Sequence, residues 1–217
     1  MILTPAQAKK FYNRFGIKQD SQSFYEDAAL DELVARADFE HAAKVFEFGC
    51  GTGRFAKRLL SKHLSESATY FGIDISDTMI GIASERLCDF GERVRVALSQ
   101  GEITFPLEDA SVDRVVSTYV LDLLSEQHVH QAINEAQRVL VKNGKLCLAS
   151  LGQGSNVISH LVTNVWSAIF RLNASLVGGC RPIRLTPYFD PQHWSIDFQT
   201  VKVQFGVPSE VLVASRK

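Results

Sequence analysis

Three glycines and two carboxylates lie at a spacing that suits a nucleoside ligand. Gly49, Gly51 and Gly53 form a short glycine turn, with Glu47 just before it and Asp74 further along the chain. Glycine suits such a segment because the chain can turn sharply and a ligand can approach the backbone closely. Glu47 could hold an ammonium group and would repel a phosphate, whereas a carboxylate at the place of Asp74 suits the two hydroxyls of a ribose.

The spacing disfavours two common nucleotide sites. Dinucleotide enzymes use the pattern G-x-G-x-x-G, and Arg54 stands where that pattern needs its last glycine. A side chain of this size at a close helix–strand contact argues against NAD or FAD. The phosphate-binding Walker pattern is also missing, since no Gly-Lys-Ser or Gly-Lys-Thr follows. Glu47 beside the glycine turn, together with the carboxylate of Asp74 for the ribose, indicates a nucleoside that carries a positively charged amino-acid tail.

Alternating strands and helices position the turn. Apolar runs predict strands at 44–48, 69–74, 93–98, 111–118 and 145–150, with helices at 54–63, 76–90 and 126–140. We expect Asn143-Gly144 to close the last of these helices. Two further runs, at 196–205 and 209–214, predict a hairpin. This alternation indicates βαβ units and a parallel sheet, with the glycine turn between the first strand and the first helix.

The chain is interpreted as one domain with four parts. These are an N-terminal helical cap (1–40), a cofactor-binding core (41–151), a variable substrate-region insert (152–194) and a C-terminal hairpin (195–217). Apolar residues at helical spacing in the insert are more typical of core packing than of a hydrophobic substrate channel. The polar side of that helix carries no Lys or Arg before Arg171, which disfavours a membrane-surface helix.

The ordered set of motifs resembles the class I S-adenosylmethionine-dependent methyltransferases, in particular the group that includes the quinone-biosynthesis C-methyltransferases. The matching segments are 47–53, 72–79, 100–103, 105–113 and 138–144, and the resemblance runs from about 45 to 151. It implies an α/β, Rossmann-like, doubly wound and mostly parallel seven-stranded sheet with an antiparallel C-terminal hairpin. It also implies S-adenosyl-L-methionine as the cofactor.

The resemblance assigns residues to that cofactor. They are Glu47, Gly49, Cys50 and Gly51 at the methionine moiety, with Gly53 in the same turn; Asp74 at the ribose; Ile75, Met79, Glu102 and Ile103 at the adenine; and Thr118 and Tyr119 near the reacting methyl. The family more often has Asp than Glu at position 102. The adenine contact is therefore a weaker match than the ribose contact.

The sulfonium of such a cofactor is already an activated methyl donor. Transfer is an in-line displacement, so a general base is needed only where the acceptor must lose a proton. The sequence has no recognisable Ser-His-Asp arrangement and no metal-ligand cluster. Candidate catalytic residues are Asp122 and Tyr25, and candidate substrate residues are Tyr12, Tyr25, His160 and Arg181. His128 is expected to face solvent.

Composition narrows the acceptor. Lys and Arg number 23 against 24 Asp and Glu, so there is no basic excess of the kind that nucleic-acid binders carry. With no close cysteine pair, signal-peptide pattern or membrane-spanning run, we expect a cytoplasmic protein, with transient membrane contact left open. The predicted function is methyl transfer to a small or lipophilic molecule. One alternative is a non-catalytic cofactor-binding or regulatory protein. A second is an NAD(P)-dependent oxidoreductase, which is disfavoured because no Tyr-x-x-x-Lys pair occurs.

Overall fold

One sheet of seven strands forms the centre of the computed structural model, which describes residues 2–217. The strands are β1 (Lys44–Phe48), β2 (Thr69–Asp74), β3 (Val94–Leu98), β4 (Val112–Thr118), β5 (Leu140–Leu151), β6 (Trp194–Gln204) and β7 (Val207–Arg216). Their order is β3-β2-β1-β4-β5-β7-β6. Strands β1 to β5 run parallel, while β7 is antiparallel to both β5 and β6. The predicted Rossmann-like sheet with an antiparallel C-terminal hairpin is confirmed.

Six α-helices surround the sheet: α1 (Pro5–Phe15), α2 (Ser23–Ala37), α3 (Arg54–Lys62), α4 (Asp77–Arg86), α5 (Glu126–Val139) and α6 (Val157–Leu172). Side-chain caps explain where several of them begin. Thr4 and Gln7 form a capping box ahead of α1, and the Ser76 hydroxyl accepts a hydrogen bond from the Met79 amide at the start of α4. The connector between α1 and α2 is a 3₁₀ helix, Gly16–Gln22.

Both faces of the sheet are covered by apolar side chains. On β1, the neighbours Val45 and Phe46 point to opposite faces because side chains alternate along a strand. Phe46 packs in a cluster with Ile133 of α5, whereas Val45 packs in a second cluster with Leu33 of α2 and Leu59 of α3. This two-sided burial explains the continuous apolar runs in the central strands.

The connection from α5 to β5 differs from the sequence prediction. Helix α5 ends at Val139, and Asn143-Gly144 lies inside β5 instead of closing the helix. The register between β4 and β5 shifts there, from Val112 opposite Leu140 to Arg114 opposite Lys145, and Asn143 has a φ of 64°. A residue pair that suits a helix end therefore forms a β-bulge in this chain.

Helix α6 presents half of its apolar stripe to solvent, so the prediction of core packing is wrong for that half, whereas Val162 and Trp166 pack against a buried cluster. Val157, Leu161 and Val165 are 87%, 65% and 52% exposed, while Ser159 and Thr163 on the opposite side are buried. The Ser159 hydroxyl explains the orientation, since it accepts hydrogen bonds from the Ser155 and Asn156 amides in the turn before the helix. Within residues 2–217, no helix combines the length and hydrophobicity needed to cross a bilayer.

Candidate active site

Two neighbouring cavities lie at the carboxyl ends of the parallel strands. The large cavity has a volume of about 340 Å³, and the small cavity has a volume of about 40 Å³. Four residues are shared by the linings of both cavities, namely Gln19, Gly49, Thr118 and Tyr119. The two spaces therefore meet where β1 and β4 end, with the 3₁₀ segment of the N-terminal cap above them.

Asp74 joins the glycine turn to the end of β2. One carboxylate oxygen accepts the Gly51 amide at 2.9 Å, and the other accepts the Ser76 amide at 2.8 Å. Gly51 can offer its amide in this direction because its backbone adopts a φ of 52°. Burial raises the pKa of Asp74, and the backbone donors oppose that rise. Its carboxylate lines the large cavity, with lone pairs left to accept further donors.

Gly49 stands at the junction of the two cavities. Its φ is 82°, and a Cβ atom added there would lie 2.2 Å from the Val120 Cγ2 atom. Val120 follows β4 and itself lines the large cavity. The close approach of these two segments leaves no room for a side chain at position 49.

The small cavity is acidic, and Arg54 in its lining pairs with Glu26 and Asp27, so that among the described residues no cation pairs with Glu47. Glu47 is 1% exposed, and one of its carboxylate oxygens accepts the Tyr70 hydroxyl at 2.5 Å. Burial raises the pKa of Glu47 to about 7. Gln19 adds a buried Oε1 atom that meets no donor. Glu26 also lines this space, but Arg54 pairs with it at 2.9 Å. The free acceptors of the small cavity suit a ligand group that donates several hydrogen bonds and carries positive charge.

Ion pairs hold the N-terminal cap over both cavities. They join Lys9 to Asp77, Asp20 to Arg86, Asp27 to Arg54, and Asp31 to Arg58, at 2.8, 2.6, 2.5 and 2.6 Å. Thr52 in the glycine turn also donates to Asp20 at 2.6 Å. These contacts place Gln19 directly over Gly51, where a Cβ atom would be 3.0 Å from the Gln19 Oε1 atom.

A buried polar cluster lies behind the wall of the large cavity. Asp122 is fully buried, and neither of its carboxylate oxygens meets a hydrogen-bond donor. Burial raises the pKa of Asp122 to about 7. Tyr12 lines the cavity in front of this cluster and donates to the Gly178 carbonyl at 3.2 Å. Burial raises the pKa of Tyr12, and the neighbouring Cys180 and Asp122 raise it further.

Most of the residues predicted for the cofactor line one of the two cavities. They are Glu47, Gly49, Cys50, Gly51, Asp74, Ile75, Glu102, Ile103, Thr118 and Tyr119. Gly53 and Met79 line neither cavity. A Cβ atom on Gly53 would lie 3.1 Å from Ala83 of α4, and Met79 is buried with its amide bonded to Ser76. In this structure Gly53 packs against α4 and Met79 belongs to its first turn, and their assignment to the cofactor stays a prediction.

The predicted substrate residues are spread more widely. Tyr12 lines the large cavity, and Tyr25 lies behind it, with its ring edge-on to the Tyr119 ring at 6.0 Å. His160 is exposed on α6, away from both cavities. Arg181 donates to the Leu124 carbonyl at 2.7 Å and so braces the loop after β4.

Sequence reasoning missed two side chains at the site. His128 lines the large cavity although its position in the first turn of α5 suggests exposure. Gln19 lines both cavities but lies in a polar connector with no motif of its own. Periodicity could have revealed His128, because it lies four positions before the buried Ala132 and so shares a face of α5 with it, whereas no local signal marks Gln19.

A surface cluster of Asp38, Glu40 and His41 has potential metal ligands within reach of one another. His41 already lies 2.5 Å from an Asp38 oxygen, and Arg114 and Lys145 approach the other one. The cations around Asp38 balance its charge, and we assign no metal to this cluster.

In comparison with known proteins, the core of the chain matches one family model. Residues 46–148 match the methyltransferase domain family. The chain is 32% identical over 126 residues to an uncharacterized methyltransferase of Geobacillus sp. (strain WCH70), covering 58% of this chain and 53% of that protein. It is also 32% identical over 113 residues to a ubiquinone/menaquinone biosynthesis C-methyltransferase of Bordetella avium, covering 52% and 43%. The chain therefore spans about half the length of the curated relatives it matches.

A solved structure shows the same fold over most of the chain. It is a geranyl diphosphate C-methyltransferase of Streptomyces coelicolor A3(2), in complex with Mg²⁺, geranyl diphosphate and S-adenosyl-L-homocysteine. The TM-score is 0.67 at 12% identity, covering 88% of this chain and 79% of that one. At this identity the likeness concerns the fold alone.

Substitution of Gly49 tests the close approach at the junction. We expect Gly49→Ala to lower the free energy of unfolding by about 1–3 kcal/mol, because the new methyl meets Val120 and the backbone is strained. Gly81→Ala is the matched control, since a Cβ atom at this α4 position has nothing within 4 Å. Helix propensity predicts that the control is stabilised by about 0.5–1 kcal/mol. Equal thermal unfolding of the two variants would contradict this account of the turn.

The pH dependence of stability tests the burial of Glu47. Its folded pKa of about 7 lies above its ordinary 4.5, so the folded state binds more protons between those values. The free energy of unfolding of the ligand-free protein should therefore fall as the pH rises through that window. Glu47→Gln should flatten the fall and stabilise the protein at pH 7.5 by up to about 3 kcal/mol. Thermal unfolding curves from about pH 5 to 7.5 measure both effects, with exposed Glu66→Gln as the control. A pH profile of stability for Glu47→Gln that runs parallel to the wild-type profile would contradict the burial of Glu47 as the cause.

Proposed function

Because residues 46–148 match the methyltransferase domain family, we propose that this chain is a class I S-adenosylmethionine-dependent methyltransferase that transfers the sulfonium methyl group of its cofactor to a small, lipophilic molecule. The observation that carries the proposal is the pair of cavities that meet at Gln19, Gly49, Thr118 and Tyr119. The large cavity suits an adenosine, and the acidic small cavity suits a cationic amino-acid tail.

Each part of the cofactor finds a matching group. Asp74 is well placed to accept the ribose hydroxyls, and Ile75, Glu102 and Ile103 form the adenine side of the large cavity. The ammonium group would donate to Glu47 and to the unpartnered Gln19 Oε1 atom. Charge pairing with an otherwise unbalanced carboxylate favours this cofactor over one that carries phosphate at the same place.

The shared residues mark the place of the reacting methyl. When bound, the cofactor supplies an activated methyl group, and the protein must orient it and exclude water. Thr118 and Tyr119 lie between the two cavities, where the sulfonium would join adenosine and tail. Tyr119 has a φ of 56°, a strained value for this residue, and its hydroxyl is held by Ser209 at 2.8 Å. Tyr25 packs against its ring and acts as a positioning residue in this proposal.

The lining of the large cavity argues for a lipophilic acceptor. Apart from the residues assigned to adenosine, its lining includes Leu3, Leu123 and Leu124, and no Lys or Arg is among the lining residues that the structure describes. An acceptor with a diphosphate group, as in the geranyl diphosphate enzyme, would lack a cationic partner there. An apolar ring of the quinol type, which the name of the Bordetella relative suggests, carries no diphosphate and needs no cationic partner.

Asp122 is our candidate for the general base. An acceptor that must lose a proton needs such a group, and a pKa near 7 suits the task. Asp122 does not itself line the large cavity, whereas Tyr12 does, so the Tyr12 hydroxyl would have to turn from the Gly178 carbonyl toward Asp122 to relay the proton. We place the reaction in the cytoplasm, since Cys50, Cys88, Cys147 and Cys180 are all free thiols.

Asp74→Ala tests the cofactor assignment. Loss of the carboxylate should weaken S-adenosylmethionine binding by more than tenfold, which is about 1.4 kcal/mol. Because the Gly51 and Ser76 amides lose their acceptor, the free energy of unfolding should fall by about 1–3 kcal/mol without unfolding the domain. Calorimetric titration and thermal unfolding measure the two effects, with exposed Asp89→Ala as the control. Unchanged affinity would remove Asp74 from the cofactor site.

A screen for the acceptor comes before the test of the base. Phenols, quinols, amines, thiols and lipid head groups are offered in turn, and release of the demethylated cofactor is followed. Turnover of an apolar phenol or quinol would support the proposed acceptor class. Tight cofactor binding with no turnover in any class would favour the non-catalytic alternative.

With an acceptor in hand, Asp122→Asn tests the base. The wild-type kcat should rise with pH through about 7 as this carboxyl group loses its proton. The variant should lower kcat by about 100-fold or more and abolish that rise, with cofactor affinity unchanged. A variant that keeps the wild-type pH profile would exclude Asp122 as the base.

A further inference from the structure

We propose that the outward face of α6 docks onto the surface of an anionic lipid bilayer. Six exposed apolar side chains form the surface that we call the α6 patch: Val157 (87% exposed), Ile158 (68%), Leu161 (65%) and Val165 (52%) on α6, Phe205 (75%) in the β6–β7 turn and Phe24 (53%) on α2. A contiguous apolar surface of this kind marks an interaction site, whereas single exposed apolar residues do not.

The patch extends over three elements of the chain. Gly206 in the β6–β7 turn lies against α6, since a Cβ atom there would be 3.5 Å from the Ile158 Cγ2 atom. Phe205 in the same turn stacks on Phe24 of α2, with 5.7 Å between ring centroids, and Phe24 is itself 53% exposed. The apolar surface is therefore continuous from α6 across the hairpin tip to the N-terminal cap.

The orientation of α6 is fixed from its polar side. Ser159 and Thr163 face inward, and the Trp166 indole donates to the Cys180 carbonyl at 3.0 Å. These contacts hold the helix with the exposed half of its apolar stripe outward. The sequence objection to a membrane-surface helix concerned the polar side, which carries no cation before Arg171. Of that side, Ser159 and Thr163 are buried against protein, and His160 and Asn164 are exposed and uncharged polar or weakly basic groups, so the cations that the proposal needs lie at the ends of the helix.

Charge selects the bilayer as the partner. Residues 152–189 contain Arg171, Arg181 and Arg184 and no Asp or Glu, although the whole chain has a net charge of −1. Arg171 lies exposed in the last turn of α6, and the exposed Arg184 donates to Gln153 just before the helix begins. In the part of the chain that the structure describes, neither of these two arginines pairs with a carboxylate. Cations at both ends of an apolar helix face suit anionic lipid head groups.

The same charges argue against a second copy of the chain. In a two-fold symmetric pair, the α6 patch would face another α6 patch. Each copy would then bring Arg171 and Arg184 toward arginines of its partner, with no acidic residue in the segment to balance them. A bilayer with anionic lipids covers the apolar face and neutralises the arginines at the same time.

The patch adjoins the wall of the large cavity. Gly178 and Gly179 line that cavity, and Cys180, which bonds to Trp166 of α6, follows them directly. Leu176 in the preceding 3₁₀ turn is 71% exposed. A lipophilic acceptor could therefore pass from the bilayer to the cavity along this short segment. This last link rests on the proposed function, whereas the bilayer contact does not.

Vesicle flotation of the full chain tests the proposal without any assay of activity. We expect wild type to float with vesicles of phosphatidylcholine mixed with phosphatidylglycerol, and more weakly with phosphatidylcholine alone. Binding to the mixed vesicles should weaken as salt is added. Leu161→Glu should lower it at least tenfold, and the double variant Arg171→Gln/Arg184→Gln should remove the preference for anionic lipid.

Ile196→Glu is the matched control. Ile196 is also an exposed apolar residue, at 40%, but it lies nine positions along β6 from Phe205, a distance of about 30 Å. This variant should float like wild type. Cofactor titration of Leu161→Glu should give the wild-type affinity, which shows that the variant is folded and that the cofactor site is unaffected.

Three results would overturn the proposal. They are wild type that floats with neither vesicle, flotation that is equal on neutral and anionic vesicles, and a dimer in sedimentation that Leu161→Glu dissociates while no flotation is seen. The last result would assign the patch to a second copy. Failure of the acceptor screen alone would leave the flotation result standing, so the two proposals can fail separately.

Discussion

The bridge that Asp74 makes between two backbone amides sets the geometry on which the site depends. One carboxylate oxygen holds the Gly51 amide after β1, and the other holds the Ser76 amide at the start of α4. Because Asp74 itself ends β2, the bridge fixes the glycine turn against the neighbouring strand. The same carboxylate faces the large cavity. Local folding and the ligand recognition that we propose therefore depend on one half-buried group.

The N-terminal cap provides the cover of the small cavity, which the sheet alone leaves open. Its ion pairs across to Arg54, Arg58 and Arg86 bring Gln19 over the turn and close the small cavity. The enclosed Glu47 then costs stability, because burial without a cation disfavours its charged form. A ligand ammonium would remove that cost. An acidic space that destabilises the empty protein can thus contribute affinity for a cationic ligand.

The bounds of β1 and β2 agree with the sequence prediction, because short apolar runs end there in glycine or acidic residues. Motif spacing also led to Asp74 and Glu47. The outward direction of α6 was not predictable, since periodicity reveals an apolar stripe but not the side that the protein covers. Gln19 carries no local signal, and its role follows from contacts between segments distant in sequence. Asn143-Gly144 suits a helix end and a β-bulge equally well, and strand pairing decides between them.

The central claim is that one ligand occupies both cavities, with its cationic tail at Glu47. Calorimetric titration of S-adenosylmethionine and of 5′-methylthioadenosine, which lacks the amino-acid tail, tests it on wild type and on Glu47→Gln. The account predicts that the substitution weakens S-adenosylmethionine by tenfold or more, about 1.4 kcal/mol, and leaves the tail-less nucleoside unchanged. An equal loss for both ligands, or no loss for either, would contradict it.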